Sequence, residues 1–346
     1  MQSKVALVTG ATNGIGEAIA EALAKQGANV LIVGRNEEKC AETTERLKKS
    51  TSNSNLTYYV ADLSVQREVR RLASELEQTI KRLDVLVNNA GAWFTERKLS
   101  ADGIEMTWAL NHLGYFLLTH ELTDLLKRTA AEQGEARIIN QASSAHHEGV
   151  MHWDDLEFDR SWATEAKGSV GAGWGAYAQS KLANVLHAFA LARRLEGTGV
   201  VANAVHPGVV VTGFTQNNGL LYKVAAPVRR LLNRNTPQDG AAPAVYLASA
   251  PEAAAVTGVY YGPPRQKEEV NPVANDGDAQ ERLWRVSLDY AVLRRSPDGS
   301  DLTKPRHARD RQNALAPPSA GLALSTPRHA QARRPLRGTR AELRRR

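Results

Sequence analysis

The chain has 346 residues, 42% of them hydrophobic, enough for one large α/β domain or for one domain plus an appendage. Its net charge of +7 sits at the C-terminal end: residues 294–346 hold 14 Lys and Arg against 4 Asp and Glu, a local +10 that leaves −3 for the rest. A body built to bind nucleic acid is therefore disfavoured, the lone Cys40 excludes an internal disulfide, and no apolar run reaches the ~18 residues of a membrane span.

Lys4 is followed at once by Val5 to Thr9, a buried parallel strand rather than a signal peptide, so the expected setting is cytoplasmic. The strand runs into Gly10-Ala-Thr12-Asn13-Gly14-Ile15-Gly16, after which Ile15, Ile19, Ala22 and Leu23 recur at helical spacing. Strand, glycine turn and helix are the context of a phosphate-binding loop. Gly10 permits the tight turn, Gly14 lets backbone approach a pyrophosphate, and Gly16 allows close helix packing. The spacing is G-x-x-x-G-x-G, not the commoner G-x-G-x-x-G.

A second strand, Asn29 to Val33, ends in Gly34-Arg35, where dinucleotide folds read the adenosine ribose. A carboxylate there favours NAD; Arg35 suits a 2′-phosphate, so NADPH is the favoured cofactor and NAD remains possible. A solvated helix-cap role is the plain alternative for Arg35. Leu56 to Val60 is a third strand ending near Asp62 and Leu63, and Asp84 to Asn88 a fourth leading to Asn89, Ala90 and Gly91. This β-α alternation predicts a doubly wound parallel sheet, a Rossmann fold, with ligand groups at the strand C-terminal ends.

Met106 to Leu126 is helical and contains Asn111, an amide of low helix propensity. Ala136 to Ala142 is the fifth strand and delivers Ser143 and Ser144. Further on, Tyr177 opens an apolar helical run with Lys181 four residues later, on the same helix face, where a cation can favour phenolate. Val200 to Val205 is the sixth strand, followed by Pro207, Gly208, Val210 and Thr212; Gln238 to Ala250 is a helix, Gly258 to Tyr261 a last strand and Ala279 to Leu293 a closing helix. Residues 213–235 read as a lid.

Thr9-Gly-Ala-Thr-Asn-Gly-Ile-Gly16, Asn88-Asn-Ala-Gly91, Ser143-Ser144, Tyr177-x-x-x-Lys181 and Pro207-Gly208 with Thr212 resemble the short-chain dehydrogenase/reductase family, in its order, over roughly residues 3–290. Ser144-Ala-His-His and Val205-His-Pro-Gly point to the retinol dehydrogenase and WW-domain oxidoreductase group, without a WW domain. The resemblance implies an oxidoreductase with Asn111, Ser144, Tyr177 and Lys181 as the catalytic set. It selects the second serine, Ser144, gives Asn111 a water that links Lys181 to solvent, and places Pro207, Gly208, Val210 and Thr212 at the nicotinamide. It also implies a homo-oligomer. A small hydrophobic carbonyl or alcohol is the expected substrate, from Trp93 beside Gly91 and the apolar stripe of the lid.

The 33 positions from Ser144 to Tyr177 exceed the family's usual interval. Trp153, Phe158, Trp162 and Trp174 with glycines at 168, 171, 173 and 175 read as a hinged pocket wall or as a surface ornament. No ligand cluster accompanies His146 and His147, so no metal is expected. The domain is set at residues 1–293, and residues 294–346, with six prolines and no Phe, Trp, Tyr, Ile or Val, are expected to be a disordered basic tail. Two rival readings stay open: an NADPH-binding regulator without turnover, and a nucleic-acid-associated protein acting through that tail.

Overall fold

Strand β1 (Val5–Thr9) is buried along its whole length because alternate side chains enter two different cores. Leu7 joins Leu31, Val33 and Leu86 on one face of the sheet, whereas Ala6 and Val8 join Val30, Ile32 and Val87 on the other. The computed structural model describes residues 1–162, 171–208, 210 and 235–292. The expected lid, apart from Asn235, and Thr212, Gly168 and the 294–346 tail lie outside the described residues.

Along the chain follow α1 (Gly14–Lys25), β2 (Asn29–Gly34), α2 (Glu37–Thr51), β3 (Leu56–Val60), α3 (Gln66–Thr79) and β4 (Val85–Asn88). Next come α4 (Met106–Trp108), a π-helical turn (Ala109–Leu113), α5 (Gly114–Gln133) and β5 (Ala136–Gln141). A 3-10 turn (Ser144–Glu148) and α6 (Gly171–Arg194) lead to β6 (Val200–Val205), α7 (Pro237–Ser249), β7 (Tyr260–Gly262), β8 (Gln266–Lys267) and α8 (Gly277–Val292).

The strand order is β3-β2-β1-β4-β5-β6-β7-β8, parallel throughout except for the antiparallel pair β7–β8. This is the expected doubly wound sheet, with β7 at the expected last strand and one addition: the two-residue β8, too short to carry a hydrophobic pattern that sequence could show. Helices α3 and α5 bury Val69, Leu72, Leu76, Leu118 and Leu122 on one face, and α1 and α7 bury Ile19, Leu23, Ala244 and Leu247 on the other.

Helix α6 begins at Gly171, not at Tyr177, so Tyr177 lies inside the helix. The expected glycine hinge is corrected accordingly: Gly171, Gly173 and Gly175 are helical, and a Cβ at Gly173 would collide with the Phe94 carbonyl. Low intrinsic propensity is overridden here by close packing. Among the described residues, no helix is long and apolar enough to cross a membrane.

Candidate active site

The C-terminal ends of β1, β2, β4, β5 and β6 form one row, which the parallel register fixes: Thr9 pairs with Val33, Asn88 with Asn140 and Gln141 with Val205. At β1 the chain turns through Gly10 (φ +65°) and Gly14 (φ +59°), a left-handed backbone that a side chain would strain. A Cβ on Gly10 would stand 2.7 Å from Ala90 Cα, and one on Gly16 would collide with the Asn89 amide. Asn89 Nδ2 donates to the Thr9 carbonyl (2.8 Å), and the Asn89 and Ala90 N–H groups donate to Thr9 Oγ1, so the β4 loop clamps the glycine turn. Asn13 is the N-cap of α1 yet gives it no side-chain hydrogen bond. A bare helix N-terminus behind a glycine cradle fits a pyrophosphate.

Thr12 and Ile15 complete that turn; Gly34 lets Thr12 approach β2, since a Cβ there would lie 2.7 Å from Thr12 Cγ2. Arg35 is exposed at the end of β2. Asp62 accepts from the Ser64 N–H (2.9 Å) and hydroxyl (2.7 Å), and buried Leu63 packs against the start of α5, where a Cβ on Gly114 would lie 2.6 Å from the Leu63 carbonyl. Pro207 and Gly208 follow β6, Gly208 at φ +68°, and Val210 packs on α7 beside Gly240.

Tyr177 and Lys181 are both buried. Lys181 Nζ donates to the Gln141 carbonyl (2.9 Å) and stands 5.7 Å from the ring centres of Tyr177 and Tyr115. Burial drives both groups towards their neutral forms, the phenol up to about 12 and the ammonium down to about 7. In this structure desolvation, rather than the cation, sets the Tyr177 phenol. A hydrogen bond from Ser143 opposes the rise.

That hydrogen bond separates the expected Ser144 from its neighbour. Ser143 caps the 3-10 turn at the end of β5 and its hydroxyl reaches Tyr177, whereas Ser144, one residue on, is exposed. One step along an extended chain reverses the side-chain direction, so only one of two adjacent serines can face the cleft.

Asn111 is buried in the π-helical turn. Its amide is committed to protein: Oδ1 accepts from the Ala92 N–H (2.9 Å), and Nδ2 donates to the Ala92 carbonyl (2.9 Å) and Ser180 Oγ (3.0 Å). It thus ties the loop after Gly91 to α6. A Cβ on Gly91 would lie 3.1 Å from Asn111 Oδ1 and 3.4 Å from Lys181 Nζ, so glycine leaves this corner open.

Trp93 meets Trp174 edge-on (5.9 Å between ring centres), and Trp174 lies 5.6 Å from the Tyr177 ring. These rings give the phenol an apolar flank. The other aromatics of the expanded segment do different work: Phe158 is fully buried, and Trp153 packs into the core under the Arg282 guanidinium (4.7 Å). Gln179 pins the segment to α6, donating to the Leu156 carbonyl (2.9 Å) and accepting from the His152 N–H (2.8 Å).

A profile described as short chain dehydrogenase matches residues 4–154. Human retinol dehydrogenase 13 is 38% identical over 305 residues, covering 85% of this chain and 88% of its own. The chain belongs to the short chain dehydrogenase family. As a short chain dehydrogenase of retinol dehydrogenase-like type, it is an oxidoreductase acting on CH–OH groups with NAD(P). Two solved structures extend the likeness to this short chain dehydrogenase. An RhlG/NADP active-site complex from Pseudomonas aeruginosa is 30% identical, with a TM-score of 0.60 over 77% of this chain and 96% of that one. A 3-ketoacyl-(acyl-carrier-protein) reductase from Brucella melitensis complexed with NADH is 25% identical, with a TM-score of 0.56 over 76% and 98%.

Proposed function

We propose that the chain transfers hydride between NADP(H) and a hydrophobic carbonyl or alcohol, with Tyr177 as the acid and base. The observation that carries this reading is the buried Tyr177, hydrogen-bonded to Ser143 and one helical turn from Lys181, at the same strand-end row as the bare glycine turn. The nicotinamide, when bound, supplies or takes up the hydride.

Ser143 donates to the substrate oxygen as negative charge grows on it, and Tyr177 gives that oxygen its proton. A phenol held near 12 is fully protonated at neutral pH, the form that reduction requires. Lys181, whose ammonium is depressed to about 7, can release and regain a proton near neutrality and restore Tyr177. Asn111 holds the Ala92 backbone and Ser180 around Lys181, so its part is to keep this corner open for a proton path. Gly10, Thr12, Asn13, Gly14, Ile15 and Gly16 would cradle the pyrophosphate, and Asp62, Leu63, Asn89, Ala90 and Gly91 would flank the adenosine and ribose. Pro207, Gly208 and Val210 would meet the nicotinamide, and Arg35 would take a 2′-phosphate.

The Trp93–Trp174 flank favours an apolar substrate of the kind named in its relatives, a retinoid or another long-chain alcohol or aldehyde. We place the enzyme in the cytoplasm as a homo-oligomer, its catalytic domain spanning residues 1–293, with residues 294–346 accessory to catalysis. A screen of retinoid, aliphatic and steroid aldehydes and ketones, followed by loss of reduced-nicotinamide absorbance with NADPH and with NADH, tests the reading. Turnover of an apolar aldehyde with NADPH is expected; turnover confined to small polar sugars would contradict it.

A further inference from the structure

His206, between β6 and the Pro207–Gly208 turn, is held at both ring nitrogens. The Gly208 N–H donates to Nδ1 (3.1 Å), and Nε2 lies 3.0 Å from Glu268 Oε2. With Nδ1 accepting, the ring proton belongs on Nε2, which donates to the carboxylate. Glu268 comes from just beyond β8, so the antiparallel hairpin reaches back across the sheet edge to hold this ring. Tyr260 of β7 stacks on the imidazole (ring centres 5.3 Å apart, planes within 14°). Two further contacts keep the arrangement tight. A Cβ on Gly262 would collide with both Glu268 Oε1 and His206 Nε2, and one on Gly208 would stand 3.1 Å from Pro263 Cγ. Gly208 itself is left-handed, at φ +68°, a conformation that its hydrogen bond to His206 helps to fix.

We propose that Glu268 and His206 form a strut that presets the Pro207–Gly208 turn, making them positioning residues for the nicotinamide end of the cofactor. The inference rests on the reading that this turn meets the cofactor. Both residues act through the backbone, so their loss weakens cofactor capture more than it slows the hydride step. A carboxylate accepting from imidazole is a charge-assisted bond, and leaving Nε2 of the buried His206 unpaired loosens the ring. Glutamine retains an acceptor at the same place; leucine does not.

The test uses the full chain, titrated with NADPH by quenching of tryptophan fluorescence and assayed at varied NADPH. Glu268→Leu and His206→Leu should each raise the NADPH Kd and KM roughly tenfold, with kcat falling by less than about threefold. Glu268→Gln should recover most of the affinity, an outcome that a purely bulk or stability effect would not give. Glu268 is partly exposed, so Glu268→Leu keeps the test open if His206→Leu fails to fold. Wild-type affinity in a folded Glu268→Leu protein would overturn the strut alone. A wild-type chain that binds neither NADPH nor NADH would overturn the cofactor reading together with it.

Discussion

Lys181→Met should make the protein more stable while destroying its activity. Burial depresses the Lys181 ammonium from its ordinary 10.5 to about 7, and each unit of such a shift corresponds to about 1.4 kcal/mol. Below pH 7 the folded state therefore carries an upper bound of about 5 kcal/mol for holding the charge. Methionine fills nearly the same volume without charge but loses the bond to the Gln141 carbonyl, worth about 2 kcal/mol. Asn184 still donates to that carbonyl, at 3.3 Å, so it is not orphaned. The net gain is at most about 3 kcal/mol, or a rise of up to roughly 6 °C in Tm for a domain of this size. Its pH dependence has a definite sign. Between about 7 and 10.5 the unfolded chain binds more protons at this lysine than the folded one, so wild-type stability recovers as pH rises. The advantage of the variant should thus be full at pH 6 and shrink through that window. Thermal unfolding at pH 6, 7 and 9 measures it; a variant less stable than wild type at pH 6 would refute the burial argument.

The two serines should separate cleanly. Ser143→Ala is expected to lower kcat by about 10²–10³, as for loss of one oxyanion donor, and Ser144→Ala to leave it within a few-fold; steady-state kinetics with a saturating aldehyde decides, and the reverse ranking would restore Ser144. Arg35→Asp should reduce the preference for NADPH over NADH by about 10- to 100-fold, read from kcat/KM with each cofactor. An unchanged ratio would leave Arg35 as a solvated residue at the end of β2.

Most of the architecture was legible because it rests on patterns with one physical meaning. Runs such as Val5–Val8 and Val30–Val33 are apolar on both faces, as strands buried between two helix layers are. Tyr177 and Lys181 were readable because helical spacing fixes them on one face. The serine was not: choosing between Ser143 and Ser144 depends on where β5 ends and the 3-10 turn begins, and a one-residue shift reverses the side chain. The glycines before Tyr177 carry a loop signature, yet Gly173 lies in α6, where its missing side chain lets the helix approach the Phe94 carbonyl. The aromatics of the expanded segment were legible as apolar but not as to destination, since burial of Phe158 and exposure of Trp174 towards Tyr177 are decided by contacts far apart in sequence. Strand β8 and Glu268 escaped for another reason, because a two-residue strand has no periodicity to detect.

The central claim is that Tyr177 moves the proton. Tyr177→Phe keeps the ring against Trp174 and removes only the hydroxyl. With an aldehyde that wild type reduces, kcat should fall by at least about 10³, while the NADPH Kd stays within about fivefold, because one neutral hydrogen bond is worth about 1 kcal/mol. Turnover retained by that variant would contradict the mechanism outright.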